Sequence, residues 1–488
     1  MPYLLNIIYV LLLLIVSPWL IVQAARKGKY REGYAEKLLG LVPRRSGEGT
    51  CVWLHAVSVG EVNLLAPLLK MIGEKRSEWE CVISTTTMTG MELARKKYPG
   101  HTVFYCPLDF SWAVKAAMRR VRPDMLVLAE LELWPNLITA AKRAGAKVAV
   151  INGRLGERSF RGYRRIRPLL AGLMRKIDLI AAQDETYAER FRALGARPEA
   201  VHVTGSMKYD GAQTDRNNTT TRRLAELAGF TADDIVLLAG STQEPEEAMA
   251  LDTFRDLSEK FPRLRLVLVP RHPDRFEAVA RMLDDSGVVW CRRKSLRGEG
   301  SGERGEEEVA CGQWPVASDG KAATGSSEEN ANCKMQIVKC KMSEANNVHS
   351  SSPLSPLPSP LSPRVLLIDV VGELGAWWGT ARIAFVGGSM GSRGGQNMIE
   401  PAAYDAAVSF GPNTWNFRDV VSAMLAREAA VVVRDGVEFT AFVRRCLERP
   451  EFAAELGRRG QELVMSQLGA TERTLELLDQ IAGHDNKQ

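Results

Sequence analysis

Residues 51–74 read CVWLHAVSVGEVNLLAPLLKMIGE, which is an apolar run, a turn and a segment whose apolar residues have helical spacing. The run Cys51–His55 has the length of a buried strand, and Gly60 permits a tight turn before a helix over Glu61–Glu74. A strand, a turn and a helix in this order form the repeating unit of parallel sheets. We therefore predict an α/β fold that starts at about residue 50.

The same alternation of short apolar runs and helix-length segments continues along the chain in two series. The first series predicts strands at residues 51–55, 81–85, 102–105, 125–129, 147–151, 179–182 and 202–204. The second predicts strands at residues 235–239, 265–269, 365–368, 382–386, 407–410 and 430–433. Two Rossmann-like domains with parallel sheets are expected, at residues 50–210 and 231–488 with a linker at 211–230.

Composition indicates a globular protein and argues against some kinds of partner. The chain has 488 residues, of which 45% are hydrophobic and 25% are charged, as in a globular protein. Its formal net charge of +6 is modest for this length, which argues against nucleic acid as a partner but allows anionic partners such as phospholipid headgroups. The 8 cysteines are scattered, with no Cys-x-x-Cys pair and no His at ligand spacing. We interpret them as reduced cytosolic thiols and expect no metal site.

The N-terminus has the pattern of a membrane anchor. Tyr3–Val22 carries no charge and spans roughly 30 Å as a helix, the thickness of one bilayer core. Positive charges follow this run rather than precede it, which predicts an uncleaved anchor with the body of the protein in the cytoplasm. We assign residues 1–25 to the anchor and residues 26–49 to a basic juxtamembrane collar. A leader cleaved near Ala24, or a buried apolar helix, is the alternative.

Residues 292–363 interrupt the second series. This segment is rich in Ser, Gly, Glu and Pro, and it is too polar to bury itself. Because strands resume at Val365, it is predicted to be a disordered insertion in a surface loop. An inert tether and a docking segment at its proline-rich end are both open interpretations.

Glu61 is the first candidate for chemistry. It follows the first strand and opens a helix, whose N-terminal N–H groups favour the ionised carboxylate. A carboxylate held there is expected to be anionic at neutral pH and able to accept a proton. The alternative is that Glu61 is an ordinary residue of a first helical turn.

Other polar residues also follow strands of the first series. Glu130 follows the fourth strand, in an unusual Glu-Leu-Glu sequence, and Lys208 comes after the last strand. Arg154, Arg158 and Arg161 begin a basic segment that suits lipid phosphates or a membrane surface. A solvated helix face is an equally good interpretation of this basic segment.

The second series contains features of a nucleotide site. Arg271 follows a strand and suits bidentate contact with phosphate. Residues 386–401 are rich in glycine, which lets the backbone approach a ligand closely. The helix that begins near Asn397 is expected to direct its N–H groups at a phosphate, with Glu400 placed to accept ribose hydroxyls. There is no phosphate-loop motif, no early Gly-x-Gly-x-x-Gly and no Asp-x-Asp pair, which favours a metal-independent site for a nucleotide sugar.

Seven motifs in order resemble those of the 3-deoxy-D-manno-octulosonic acid (Kdo) transferases of lipopolysaccharide biosynthesis. They are HAVSVGE at 55–61, ELELWPN at 130–136, NGRL at 152–155, GSMKYD at 205–210, PRHP at 270–273, VGEL at 371–374 and GGQNMIEPA at 394–402. The resemblance covers nearly the whole chain outside residues 292–363. It implies a GT-B fold, in which two Rossmann-like domains face a cleft.

The resemblance also implies an activity and a location. The enzyme is expected to move Kdo from CMP-Kdo, a co-substrate rather than a cofactor, to a lipid A precursor (lipid IVA), with inversion at the anomeric carbon. Residues 50–210 become the acceptor domain and residues 231–488 the CMP-Kdo domain. The place of action is the cytoplasmic side of the inner membrane.

Carried over position by position, the resemblance implies roles for individual residues. Glu61 matches the family's proton acceptor, and Glu130 and Lys208 match positions that stabilise the transition state. Arg154, Arg158 and Arg161 remain candidates for contact with the acceptor or the membrane. The CMP-binding segments match Pro270, Arg271, Val371, Gly372, Glu373, Asn397, Met398, Ile399 and Glu400.

Two departures and two alternatives accompany the resemblance. Gln396 stands where the family usually carries His, although an amide can still donate a hydrogen bond. The long insertion is also atypical. The alternative functions are a GT-B transferase that uses a UDP sugar on a lipid acceptor, and a catalytically inactive, membrane-tethered binding module.

Overall fold

A computed structural model of the chain describes residues 2–27, 32–296 and 364–483. Contacts divide it into two units. The first unit extends to Thr214 and also contains Ala423–Ala429 and the segment from Gly457 onward. The second unit consists of Asp215–Ser422 and Ala430–Leu456.

Helices and strands alternate regularly in the part of the first unit that ends at Thr214. In chain order they are α1 (Pro2–Lys27), α2 (Tyr34–Leu39), β1 (Cys51–His55), α3 (Val59–Lys75), β2 (Glu80–Thr85), α4 (Met88–Lys97), β3 (Thr102–Tyr105), α5 (Ser111–Val121), β4 (Met125–Ala129), α6 (Pro135–Arg143), β5 (Lys147–Gly153), α7 (Glu157–Arg165), α8 (Arg167–Met174), β6 (Leu179–Ala182), α9 (Glu185–Ala193) and β7 (Val201–Val203).

The remaining elements continue this alternation and end in three consecutive helices. They are α10 (Thr219–Leu227), β8 (Ile235–Thr242), α11 (Glu246–Ser258), β9 (Leu264–Pro270), α12 (Phe276–Asp285), β10 (Trp290–Arg292), β11 (Val365–Leu367), α13 (Leu374–Trp377), β12 (Ile383–Val386), α14 (Ile399–Ala403), β13 (Ala407–Phe410), α15 (Arg418–Ala426), β14 (Val431–Val432), α16 (Gly436–Glu448), α17 (Pro450–Gln467) and α18 (Ala470–Gly483). Single 3₁₀ turns lie at Pro198–Ala200, Pro273–Arg275, Arg293–Ser295, Trp378–Thr380 and Trp415–Phe417.

Each unit is built on a 7-stranded sheet. The strand order is β3-β2-β1-β4-β5-β6-β7 in the first and β10-β11-β9-β8-β12-β13-β14 in the second. All of these strand pairs are parallel. Parallel strands are covered by helices on both faces, so continuous apolar runs such as Cys51–His55 are buried along their whole length. This confirms the predicted α/β class with two parallel sheets.

One strand was not predicted, and the segment predicted to be an insertion overlaps its last residue. Trp290–Arg292 forms β10, which pairs with Val365–Leu367 at the edge of the second sheet. Its three residues are only half buried, so the apolar run that identifies a central strand is missing. Residues 292–296 therefore belong to the ordered body. The rest of the predicted insertion, residues 297–363, lies outside the described residues.

Two predicted boundaries were wrong. The linker predicted at 211–230 contains a helix, α10, whose Leu224 is buried. The second domain was expected to run to residue 488, but residues from Gly457 onward join the first unit. The reason is apolar packing, because Leu475 and Leu478 of α18 lie in the same buried cluster as Val62 of α3.

Helix α1 covers the predicted anchor. Near its start, the Asn6 amide donates to Ser111 Oγ at 2.7 Å, and the Tyr9 hydroxyl donates to Asp109 Oδ2 at 3.0 Å. Within the part of the chain that is described, no helix meets the combination of length and apolar character that crossing a bilayer requires. Of the predicted collar, residues 28–31 lie outside the described residues, and α2 occupies Tyr34–Leu39.

Replacing Leu478 tests whether α18 completes the core of the first unit. Leu478→Ala should lower the free energy of unfolding by about 2–5 kcal/mol, because the side chain is fully buried and its removal leaves a cavity. Urea unfolding followed by tryptophan fluorescence measures the change. Glu476→Ala, on the exposed side of the same helix, is the control and should change stability by less than about 0.5 kcal/mol. Equal stability of the two variants would contradict the packing.

Candidate active site

The turn from β1 into α3 holds the Glu61 carboxylate. Ser58 caps the helix by accepting the Glu61 N–H at 3.3 Å, and the Ser58 hydroxyl donates to Glu61 Oε1 at 2.8 Å. The Val57 N–H donates to Glu61 Oε2 at 2.8 Å. Serine followed three residues later by glutamate is the pattern of a capping box. The side chain is therefore fixed at the end of β1, and Glu61 is 9% exposed.

The protonation of Glu61 differs from the prediction. Its pKa is raised from the ordinary value of 4.5 to about 7, chiefly by burial and to a smaller extent by the negative charges of Glu130 and Glu132. The hydrogen bonds from Val57 and Ser58 act in the opposite direction but do not compensate for the lost hydration. Glu61 was expected to be anionic at neutral pH, but with a pKa of about 7 its carboxylate is protonated in part of the molecules. A carboxylate with a pKa near 7 is better matched to proton transfer at neutral pH than one with the ordinary pKa of 4.5.

His55 ends strand β1 and has no exposed surface. Its Nδ1 lies 2.9 Å from Ser84 Oγ, and its ring packs edge-on against Trp134 at 5.7 Å between centroids. Burial lowers the pKa of His55 to about 4, so the imidazole is neutral at physiological pH. It supports the strand end that leads to Glu61 rather than carrying charge there.

Glu130 is the centre of a small charged cluster. Its Oε2 accepts the Arg154 Nε–H at 2.8 Å, and its Oε1 lies 3.1 Å from Lys208 Nζ. The structure thus brings together three residues that the sequence had singled out separately. Glu130 has a φ of 54°, a left-handed conformation that is uncommon for a non-glycine residue and costs on the order of 1 kcal/mol or more. Strain of this kind concentrates at functional sites.

Asn152 was not predicted to contribute, yet it holds the segment that carries Lys208. It is fully buried at the end of β5, and its φ of 52° is also left-handed. Its Oδ1 accepts the Met207 N–H at 3.1 Å and lies 3.4 Å from Ser206 Oγ. The asparagine in the Asn-Gly-Arg sequence was visible, but nothing local indicated which loop it would bind. It positions the residue next to Lys208.

The remaining basic candidates lie on α7. Arg158 is exposed, and Arg161 is exposed and pairs with Glu157 of the same helix at 2.8 Å. Glu157 also pairs with Arg190 at 2.7 Å. In contrast to Arg154, these two arginines are not held by the Glu130 carboxylate, and their contact with acceptor or membrane stays a prediction.

In the second unit, a carboxylate occupies the N–H groups of the glycine-rich turn. Glu246 is 1% exposed and accepts the N–H groups of Gly388, Ser389 and Met390 at 2.7, 2.9 and 2.9 Å. It also accepts the Gln243 N–H at 2.9 Å. These three N–H groups are therefore not available to a ligand. The contact with phosphate that was expected of the helix near Asn397 stays a prediction.

Other predicted CMP-binding residues remain near one another. The Asn397 amide donates to Glu400 Oε1 at 3.0 Å. Burial raises the pKa of Glu400, while the Asn397 hydrogen bond, the charge of Arg271 and the Trp378 indole lower it. Arg271 is exposed and follows Pro270 at the end of β9.

The segment after Asn397 offers little to a ligand through its side chains. Met398 and Ile399 are 0% and 2% exposed and belong to the core, and the Ile399 N–H already donates to Asn397 Oδ1 at 3.1 Å. Helix α14 has only 5 residues. Gln396 is half buried and lies against Gly388.

The third predicted segment is anchored by an arginine that was not predicted. Glu373 forms a bidentate pair with Arg293, with both N···O distances at 2.8 Å, and accepts the Trp377 indole N–H at 3.1 Å. Arg293 lies within residues 292–363, which were predicted to be a disordered insertion. The sequence therefore did not indicate it as a site residue. Val371 is 74% exposed, and Gly372 has a φ of 98° that favours glycine. This exposed turn is free to meet a ligand.

A pH series tests the environment of Glu61. The folded chain holds the Glu61 proton more tightly than the unfolded chain does, so stability should fall as pH rises from about 4.5 to about 7, by on the order of 3 kcal/mol. Glu61→Gln should lack this loss, because glutamine does not ionise. Urea unfolding at about pH 5 and about pH 8 measures both slopes. Glu74→Gln, exposed on the same helix, is the control and should keep the wild-type dependence of stability on pH. If Glu61→Gln also kept the wild-type dependence, the pKa of Glu61 would not be raised by the fold.

Replacing Glu246 tests the turn in the second unit. Glu246→Gln places an NH₂ group against backbone N–H donors and should lower the free energy of unfolding by about 1–3 kcal/mol or more. Thermal unfolding measures the loss. Asp252→Asn, on the exposed side of the same helix, removes a carboxylate without such partners and should be neutral. A neutral Glu246→Gln variant would contradict the role of this carboxylate.

Comparisons with known proteins agree with the motifs. Residues 31–211 match the family model described as 3-deoxy-D-manno-octulosonic-acid transferase (kdotransferase). The 3-deoxy-D-manno-octulosonic acid transferase of Haemophilus influenzae is 29% identical over 483 residues, which cover 96% of this chain and 97% of that protein. The protein of the same name from Chlamydia trachomatis serovar D is 28% identical over 411 residues, 83% of this chain and 80% of that protein.

Among solved structures, this chain is similar to the C-terminal CMP-Kdo binding domain of WaaA from Acinetobacter baumannii, at 20% identity and a TM-score of 0.36. The match covers 50% of this chain and 97% of that domain. This likeness is too distant to add to the fold described above. The chain thus matches the 3-deoxy-D-manno-octulosonic-acid (Kdo) transferase family model over residues 31–211 and is similar to transferases of that name along most of its length.

Proposed function

We propose that this glycosyltransferase moves Kdo from CMP-Kdo to a lipid A precursor, lipid IVA, with inversion at the anomeric carbon and with Glu61 as the base. The observation that carries the proposal is the Glu61 carboxylate, which is fixed by Ser58 and Val57 at the end of β1 and has a pKa raised to about 7. Near neutral pH such a carboxylate is unprotonated in a large fraction of molecules and still binds a proton firmly. It therefore suits the removal of a proton from an attacking hydroxyl.

The Glu130 cluster supports a second part of the proposal. Glycosyl transfer passes through an oxocarbenium-like transition state while negative charge grows on the leaving phosphate. Glu130 offers negative charge to the former. Lys208, 3.1 Å from Glu130 and held in place by its loop, offers positive charge to the latter. Preorganised charges of this kind need no rearrangement during the reaction.

The donor is assigned to the second unit. Arg271 would pair with the CMP phosphate, and Glu400 with Asn397 would receive the ribose. The exposed turn at Val371 and Gly372, with Glu373 held by Arg293, would approach the nucleotide. For Pro270, Met398 and Ile399 the proposal is limited to the backbone and the packing of the site, because these residues are buried.

Location completes the proposal. Acting at the cytoplasmic side of the inner membrane, the enzyme would use α1 as its single-pass anchor, and Arg154, Arg158 and Arg161 near the acceptor. The exposed apolar side chains of Leu14 and Ile15, 64% and 75% exposed, support contact with lipid. The GT-B arrangement predicted from the sequence is part of the same proposal.

Glu61→Gln separates the base from donor binding. Transfer of Kdo to lipid IVA should fall by about 10²–10⁴-fold, because glutamine cannot accept the proton. CMP affinity should stay within about twofold, because Glu61 belongs to the acceptor side. Product mass spectrometry measures transfer, and calorimetry measures CMP binding. Glu74→Gln is the control and should keep full transfer, whereas full transfer by Glu61→Gln would refute the assigned base.

The nucleotide preference distinguishes the donor. Thermal protection by CMP but not by UDP is expected for a CMP-Kdo site, and the reverse would favour a transferase of UDP sugars. Protection by CMP without any transfer to lipid IVA would favour a non-catalytic binding module.

A further inference from the structure

A large groove lies in the first unit between α1 and helices α5 and α6. Its volume is about 1370 Å³, larger than the roughly 300–1,000 Å³ of ordinary small-molecule pockets. One wall is apolar and comes from α1, with Ile7, Val10 and Leu11 at 58%, 39% and 54% exposed. Trp112 of α5, 47% exposed, extends this wall. Apolar side chains exposed together inside a concave surface indicate a site for an apolar ligand.

The opposite wall is cationic. Lys115, Arg119 and Arg143 line it, and none of their side chains has a hydrogen bond or ion pair to any residue that the structure describes. Asp124 also lines the groove, but its carboxylate accepts the Cys51 N–H at 2.7 Å. Cations without carboxylate partners leave the groove strongly positive.

A second, arginine-lined pocket of about 640 Å³ adjoins this groove and shares Arg119 and Arg122 with it. Arg44 faces it and, like Arg119, has no partner among the described residues. The Arg122 guanidinium donates to the backbone carbonyls of Arg45 and Gly47. Arg45 is the most buried of the set, with 5% of its side chain exposed, and pairs with Glu80 at 2.6 Å. The pocket thus keeps positive charge available for a ligand.

From this juxtaposition we propose that the groove and the arginine pocket together bind one anionic phospholipid of the membrane. The acyl chains lie along Ile7, Val10 and Leu11, and the phosphate lies among Arg44, Arg119 and Arg143. Arginine binds phosphate oxygens through paired N–H donors, which suits this headgroup. The site is separate from the transfer reaction, since none of its residues belongs to the Glu61 or Glu130 clusters.

Charge complementarity and the apolar wall together favour this occupant. Free phosphate would use the arginines but would leave the wall of α1 exposed to water. A nucleic acid would likewise have no use for the apolar wall, and the net charge of +6 is modest for such a partner. A zwitterionic lipid would fill the groove without neutralising its cations. An anionic lipid covers the apolar wall with its acyl chains and neutralises the cations with its headgroup.

The test uses the full-length protein in detergent, with dioleoylphosphatidylglycerol or dioleoylphosphatidylcholine added and bound lipid counted by native mass spectrometry. Wild type should retain phosphatidylglycerol in preference to phosphatidylcholine. The variant Arg44→Gln/Arg119→Gln/Arg143→Gln should bind phosphatidylglycerol on the order of 100-fold more weakly, because each cation near an anionic headgroup contributes about fivefold. Ile7→Ser/Leu11→Ser should also weaken binding, through the apolar wall.

A matched control removes the same charge elsewhere. Lys96→Gln/Arg175→Gln/Arg223→Gln changes three exposed cations that line neither cavity and should bind phosphatidylglycerol like wild type. Thermal unfolding checks that each variant is folded, and Arg119→Gln alone replaces the triple variant if that one is not. Equal retention of both lipids, equal weakening by the control, or displacement of the lipid by equimolar inorganic phosphate would overturn the proposal.

Discussion

Parallel strands all end at the same edge of a sheet, and this constraint determines where the polar candidate residues lie in each unit. The strands themselves are almost entirely buried and apolar, so polar side chains appear only as the chain leaves them. Glu61 follows β1, Glu130 follows β4 and Arg154 follows β5. The left-handed backbone at Glu130 and Asn152 shows that two of these exits are bent into conformations that only a well-packed sheet can hold.

Two buried carboxylates illustrate how the number of donors decides what a glutamate does. Glu246 accepts four backbone N–H groups, so its hydrogen-bonding capacity is used and it acts as an internal ligand for the glycine-rich turn. Glu61 accepts one backbone N–H and one hydroxyl, and other carboxylates lie near enough to raise its pKa. Its charge is therefore less well compensated, and its proton is correspondingly easier to exchange. Both residues stand at the start of a helix that follows the first strand of its sheet.

The sequence predicted those features that depend on a local pattern of residues, above all the central strands. The apolar runs predicted the central strands almost to the residue, because a buried parallel strand has no polar residues to obscure it. Local pattern could not reveal partners distant along the chain. That Glu246 binds the turn at Gly388, that Arg293 pairs with Glu373 and that Asn152 holds the loop before Lys208 all depend on folding. The pKa of Glu61 belongs to the same class, since burial and not the helix start dominates it. Strand β10 was missed because an edge strand is short and half exposed.

The return of α18 to the first unit has a consequence for biosynthesis. As the chain leaves the ribosome, α3 and β1 emerge early, but Leu475 and Leu478, which close the core over α3, are translated only after the whole second unit. The second unit is continuous enough to fold while the first still exposes an uncovered apolar face. For the duration of that interval the nascent N-terminal half exposes an apolar face of the kind that makes incomplete chains prone to aggregate, and its core is completed only once α18 has been translated.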